Sequence, residues 1–541
     1  MRVSFNFALI QNLNSTSKIQ DFFIKVLKSK ALQYALNPCG LLKDSHQIVF
    51  VLEGEEDNIL AFSQALSQAI PLSLQWCFKE IAMLEDNPYP TQVNQALSSP
   101  KDLLTPYELE LISNPESENF CNLWLDFIDF HQTKLTYFDN AKKQIIKNSK
   151  DLKNALDALA QKLKANQSIF IKTRYGKKRL WLFDEKQPKT IGQSYYFMPF
   201  CLNAAQMFFR IQNEELQALA SIEKPILSLR PKSVFVPFFP SKEVLCVLPY
   251  EPLLLLLTKF LADYEGCYLE EINPDEEKID SGLCYFIPED SAPLKVNIAK
   301  SALVVCDKID KGFEPQSFLQ TIKQEQCQRV NILYFGEETT RFLLYFQESF
   351  KETLNFKIPV NLKDFLNYLK SNSQTTQKLL ENFTQNYPNL IEKLTLMPSQ
   401  KEEISHNLLD LLGVCGIFLG LSEDFDLIKS RQLVLDYARD FMGTKGVRID
   451  FALENKEGEI LLNAYKTIRS VMSFRLAGVE KELLCFGIVD SLAEFLANLS
   501  RDMEENYNTQ GIIVDGAMRF YKPFIDQLIH YLPRGEIYIN D

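Results

Sequence analysis

The chain has 541 residues, 46% of them hydrophobic and 24% charged, with a formal net charge of −12. This composition excludes a disordered chain, and an acidic balance without a basic block excludes a nucleic-acid footprint. Length alone predicts about three or four domains of ordinary size.

Val3, Phe5 and Phe7 alternate as in a half-buried strand. Ser15 to Lys30 carries Ile19, Phe22, Phe23, Val26 and Leu27 at helical spacing, with Ser15 or Ser17 as N-cap. A β-rich run from Gln47 to Glu53 and a second amphipathic helix from Asp57 to Ala69 follow. Residues 1–86 thus read as alternating strands and helices, and residues 87–147 as a punctuated, polar linker. Asp151 to Ala165 is an amphipathic helix with Leu152, Leu156, Leu159 and Leu163 on one face, leading into a strand and turn at Ser168 to Gly176. Further strands are predicted at Ser301 to Cys306 and Gln328 to Phe335, and helices at Glu402 to Leu421 and Leu427 to Met442. The divisions are 148–300 and 301–541.

Eleven cysteines are scattered with no C-x-x-C pair, which argues against a zinc ribbon or an iron–sulfur cluster, and their odd number suits a reducing compartment. The opening residues Met1 to Phe7 lack a long apolar export core. The five leucines Leu253 to Leu257 are too short a run to span a bilayer. A cytoplasmic protein that is not transmembrane is expected.

The motifs carry a resemblance. Glu223-Lys224-Pro225-Ile226-Leu227-Ser228-Leu229-Arg230 and Val247-Leu248-Pro249-Tyr250-Glu251-Pro252-Leu253 resemble the "PIVLL…G-V-M-L-P-Y-T-P-L-H" stretch of the HypF family, the carbamoyltransferases of nickel–iron hydrogenase maturation. His406 to Gly413 resembles that family's "G-R-L-F-D-A-V-A-A-L-L-G-L" helix, and Gly511 to Met518 resembles "V-x-L-S-G-G-V-F-Q-N". Partial matches in one order along most of the chain imply an α/β and α+β multidomain protein. Its parts would be an acylphosphatase-like ferredoxin fold, a linker with a vestigial zinc-finger region, a YrdC-like α/β domain and an actin/hexokinase-like, carbamoyltransferase-like domain.

The resemblance also shows what is missing. Ile10-Gln11-Asn12-Leu13-Asn14 stands where the acylphosphatase type has V-Q-G-V-G-F-R, without the glycines that let amides converge on an anion or the arginine that binds it. Asp102 to Leu109 with Asn114-Pro115 resembles the zinc region, but Cys121 is its only cysteine. The four histidines (His46, His131, His406 and His530) are too far apart to supply the family's H-x-x-x-H iron pair, and Asp541 lacks histidine partners; no metal is expected. Lys172 fits the family lysine of the YrdC-type strand. The resemblance implies Lys172, Arg174, Arg230 and Gly516 as candidate nucleotide-binding residues, with Lys177, Lys178 and Arg179 as basic neighbours. No catalytic residue and no required cofactor is implied, leaving room only for residual ATP binding. Asp515 beside Gly516 would repel a phosphate unless a cation intervened. The implied role is that of a HydE-type hydrogenase accessory protein, a scaffold for a hydrogenase subunit or maturation protein. The rival is an active carbamoyl- or acyl-adenylate-forming transferase with a shifted substrate.

Overall fold

The computed structural model describes residues 1–10, 16–44, 46–86, 88–89, 135–173, 175–184, 195–239, 242–272, 281–284, 294–300, 303–307, 312–396, 404–456, 458–532 and 537–540. The chain divides into two compact units, Met1–Ile298 and Ala299–Asp541.

The first unit opens with β1 (Arg2–Leu9), α1 (Thr16–Gln33), β2 (Asn37–Lys43), β3 (Gln47–Glu53), α2 (Glu56–Ala69) and β4 (Trp76–Met83). They form an antiparallel sheet in the order β2-β3-β1-β4, the split β-α-β arrangement. Alternation is the cause: Val3, Phe5 and Phe7 point to the helices and are fully buried with Phe22, Phe23, Phe50 and Phe62. β2 is the element that the sequence reading lacked. It holds Pro38 and Gly40, two poor strand formers, and is bulged between them.

The second part of this unit contains β5 (Thr136–Asp139), β6 (Lys142–Ile145), α3 (Ser149–Lys164), β7 (Ile169–Thr173), β8 (Gly176–Leu182), β9 (Tyr195–Pro199), α4 (Leu202–Phe208), β10 (Phe209–Arg210) and α5 (Asn213–Ala220). It continues through β11 (Ile226–Pro231), β12 (Val244–Cys246), α6 (Pro252–Lys259), β13 (Gly266–Glu271), β14 (Ser281–Cys284) and β15 (Lys295–Ile298). The strands run β15-β11-β12-β9-β13-β8-β7-β14-β5-β6, with β10 paired to β11. Helix α3 is capped by Asn148, whose side chain accepts from the Asp151 amide, and it buries Leu152, Leu156, Leu159 and Leu163. The leucine run of α6 fills the same core. Residues 136–145, read from the sequence as the tail of a linker, instead pair into this sheet. All four residues of β6 are exposed, so no apolar alternation betrays it.

The second unit holds β16 (Val304–Cys306), α7 (Pro315–Gln324), β17 (Arg329–Phe335), β18 (Thr340–Phe346), β19 (Ser349–Asn355), β20 (Ile358–Pro359), α8 (Leu362–Asn372), α9 (Gln374–Asn386), α10 (Pro388–Leu396), β21 (Ile404–Ser405) and α11 (Leu408–Phe418). After these come α12 (Leu427–Asp440), β22 (Leu453–Lys456), β23 (Glu459–Leu462), α13 (Ala464–Leu476), α14 (Lys481–Tyr507), β24 (Ile512–Gly516), α15 (Lys522–Tyr531) and β25 (Ile537–Ile539). Its sheet runs β19-β18-β17-β24-β25, antiparallel across the first three strands and parallel across the last three. The helix predicted from Glu402 starts later. Ile404–Ser405 pairs with β20, and Asn407 caps α11 through the Leu409 amide at 3.0 Å. By length and composition α14 could cross a membrane, yet 78% of its most apolar window is buried, and it packs against α12 and α15.

Candidate functional site

Three places hold the residues singled out from the sequence. The first is the end of the β7–β8 hairpin. Lys172 is half-buried and stands opposite Lys177, and β14 runs parallel beside β7 with Cys284 at its end. Burial pushes the Cys284 thiol up, and Lys177 and Lys172 offset this only in part, so the sulfur stays protonated near neutrality. Arg174 lies outside the described residues, as do Gln11 to Asn14, most of the linker with Cys121, His131 and Asp541.

The other basic neighbours are committed to partners on β13. Buried Lys178 donates to Glu271 at 3.0 Å, and the Tyr196 hydroxyl donates to the same carboxylate at 2.7 Å. Burial works against charge on Glu271, but these two hydrogen bonds outweigh it and hold the carboxyl below its ordinary value. On the opposite face Arg179 pairs with Glu270 at 3.4 Å and lies over the Phe170 ring. Lys178 and Arg179 therefore knit the sheet together. Arg230 is on β11, opposite Arg210 on β10. Four strands (β12, β9, β13 and β8) separate it from the strand of Lys172, so the sheet does not place the two side by side.

The second place is the motif Glu223-Lys224-Pro225. The Glu223 carboxylate accepts the Ser73 hydroxyl and the Leu74 and Gln75 amides, the amides at 3.1 and 3.3 Å. The Ile222 amide donates to the Leu72 carbonyl at 2.8 Å, and the Ile222 side chain enters the core of the four-stranded domain. Lys224 has φ +47° and its ammonium donates to the Ala220 carbonyl; burial lowers its pKa to about 8. The most legible motif of the chain is therefore a joint between the four-stranded sheet and the large sheet of the first unit.

The third place is the end of β24 in the second unit. Gly516 has φ +80°, and a Cβ there would lie 2.1 Å from the Phe335 carbonyl oxygen, so only glycine fits. The Ala517 amide donates to that same oxygen at 2.9 Å. The turn after β17 carries exposed Glu337 and Glu338, and Asn407 donates to the carbonyls of Gly336 and Glu337 at 3.3 and 2.7 Å.

A phosphate at this corner would need the Gly516 amide and a cation, and both already have an anion. The Asp515 carboxylate accepts from the Gly516 amide at 2.7 Å, from Arg519 at 3.4 Å and from the Asn540 side-chain amide at 2.6 Å. Arg519, only 6% exposed, also donates to the Asn540 carbonyl at 2.8 Å, and the Asn540 side-chain oxygen accepts from Thr321 at 2.7 Å and Ser317 at 3.2 Å. A phosphate about 4 Å from Asp515 would meet a repulsion of about 4 kcal/mol per charge pair. The residues present do not fit a nucleotide phosphate. Arg519 and Asn540 are not among the residues singled out from the sequence; no local signal marks Asn540, which is 25 residues from Asp515 and meets it only because β24 and β25 pair.

Among the described residues the histidines do not converge. The His46 amide donates to Asp44, the His406 ring lies 2.9 Å from the Phe356 carbonyl, and the His530 ring packs on Tyr531. Among the described residues no three His, Cys, Asp or Glu side chains group as metal ligands.

No protein-family model matches the chain. Among solved structures, full-length HypF in its phosphate- and nucleotide-bound form aligns with a TM-score of 0.57 and 12% identity, covering 100% of this chain and 96% of that one. T. kodakarensis HypF aligns with a TM-score of 0.63 and 10% identity, covering 100% and 95%. The class is thus a multidomain α/β protein with the HypF fold. Among curated proteins, Protein HydE of Wolinella succinogenes is 31% identical over 532 residues, 95% of this chain and 94% of that protein. The chain belongs to the HydE family.

Proposed function

We propose that the protein is a nickel–iron hydrogenase maturation or assembly accessory factor, a HypF-like scaffold that binds a hydrogenase subunit or maturation protein in the cytoplasm. The observation that supports this reading is the Gly516 corner, where the Asp515 carboxylate accepts the hydrogen bonds of the Gly516 amide, Arg519 and Asn540 that an anion would need. In this reading the four-stranded domain is a descendant of the acylphosphatase type. The sheet with α3 is the YrdC-like domain, and the sheet ordered β19-β18-β17-β24-β25 is one half of an actin/hexokinase-like fold. Ion pairing of Lys178 and Arg179 to β13 supports the same view of the YrdC-like part.

The test is calorimetry of the purified chain with ATP, with and without Mg²⁺ and carbamoyl phosphate, followed by capture of hydrogenase subunits from cells that make them. No heat of binding together with a captured subunit is the expected result. Micromolar ATP binding lost in Lys172→Ala would overturn the scaffold reading in favour of an adenylate-forming transferase.

A further inference from the structure

The β5–β6 hairpin ends the large sheet of the first unit. Its loop, Asn140 and Ala141, has φ +46° and +64°, the geometry of a two-residue type I′ turn. The Ile146 amide donates to the Leu135 carbonyl at 3.0 Å, which fixes the ladder's phase. Pairs 135/146, 137/144 and 139/142 are then the hydrogen-bonded ones, and the backbone N–H and C=O groups of Lys143 and Ile145 point away from β5. Among the described residues no strand pairs with this outer edge.

Beside the edge lies a cavity of about 660 Å³ between β6 and the first turns of α3. Tyr137, Ile146 and Ala155 form its buried apolar floor; Lys143 and Ile145 line one wall and Asn154 the other. Ile145 is 59% exposed, a large apolar side chain in the open beside unpaired backbone groups. Charge selects among occupants. From Asn140 to Leu156 the chain carries five lysines and one aspartate, against −12 for the whole protein. Of these, Lys142, Lys143, Lys147 and Lys150 are exposed. Asp151 accepts the Lys147 amide at 3.3 Å, so its charge serves the start of the helix.

We infer that this groove is a docking site for an extended, acidic segment of a partner protein, added to β6 as a further strand. The edge supplies main-chain hydrogen bonds at Lys143 and Ile145, the floor takes an apolar side chain, and the lysines read the acidic ones. A second copy of this chain presents the same lysines at the same edge and is repelled. The identification of the partner as a hydrogenase assembly component rests on the function proposed above; the groove's chemistry does not.

The experiment is fluorescence anisotropy of the full chain with labelled heptapeptides. One alternates Glu and Val, one alternates Lys and Val, and one is acidic with proline at the central position. The acidic alternating peptide binds, the basic one does not, and proline weakens binding about tenfold or more. Ile145→Pro removes an outward N–H that the ladder does not use, so the fold is kept and binding is lost. The double variant Lys143→Glu, Lys147→Glu also loses it, whereas Lys370→Glu, Lys378→Glu on α8 and α9 does not. Equal binding of the two acidic peptides, or unchanged binding by Ile145→Pro, would overturn strand addition. Binding of anionic vesicles or RNA by these lysines without binding of the peptide would overturn the assignment of partner. Captured hydrogenase subunits with no peptide binding would sink the groove alone, and peptide binding with no captured subunit would sink the proposed function alone.

Discussion

Replacing Asp515 by alanine tests whether this carboxylate acts as a built-in anion. The substitution removes the acceptor of the Gly516 amide at 2.7 Å, the ion-pair partner of Arg519 at 3.4 Å and the acceptor of the Asn540 amide at 2.6 Å. Arg519 keeps the Asn540 carbonyl at 2.8 Å, so the loss falls near the lower end for a broken buried pair, about 3 kcal/mol. For a body the size of the second unit that is about 6–12 °C of melting temperature. The emptied place leaves a buried guanidinium and an unsatisfied amide, and inorganic phosphate fits both. If it binds with a dissociation constant of about 1 mM, 20 mM phosphate restores about 1.8 kcal/mol. Differential scanning fluorimetry of wild type and variant at matched ionic strength reads both effects. A variant melting within about 2 °C of wild type would refute the first step. A phosphate effect equal in the two proteins would refute the second, being the general action of an excluded salt.

Glu223→Ala takes the acceptor from the Leu74 amide and the Ser73 hydroxyl, while the Gln75 amide keeps Ser73 Oγ at 3.1 Å, and costs about 2–3 kcal/mol at the joint; hydrogen exchange at Leu74 should rise sharply, whereas Glu223→Gln shows a partial effect. For Lys224 the folded pKa is about 8, lowered by burial from an ordinary 10.5. Between these values the unfolded chain binds a proton that the folded chain does not, so stability from this group rises with pH across that window. Lys224→Met should therefore melt above wild type at pH 7, by at most about 3 kcal/mol in stability, with the gap closing by pH 10.5. A gap that widens with pH contradicts the assignment. Gly516→Ala places a Cβ against the Phe335 carbonyl and should cost more than about 2 kcal/mol in denaturant unfolding; a cost under about 0.5 kcal/mol would show that β17 and β24 can part there.

What the sequence disclosed follows from how each element meets water. β1 and α3 are wetter on one side, so their apolar residues fall at periods of two and of about 3.6, while β3 is read as a continuous apolar run between Gln47 and Glu53, buried on both faces. β6 is exposed throughout and α14 is buried on nearly every side from Leu484 to Ala497, so neither has a period to read there. Of the candidate site, Gly516 and Asp515 were visible as a turn with an unwelcome charge. Arg519 and Asn540 are polar residues whose meaning depends on β24 and β25 lying side by side, which no local pattern encodes. Lys178 and Arg179 read as a basic lip because their carboxylate partners are 93 and 91 residues away on β13.

The burial of α14 bears on how the chain leaves the ribosome. This helix, with its long apolar stretch, is synthesised before β24 and α15, so its partners on that side do not yet exist when it emerges. β17 likewise waits for Ile512–Gly516 to complete its parallel neighbour. Until the last segment is released, the nascent second unit presents a long greasy cylinder of the kind that chaperones and membrane-targeting factors bind. A premature stop after Tyr507 would make that transient state permanent, so a nonsense lesion at that point should yield insoluble or degraded protein rather than a trimmed but working one.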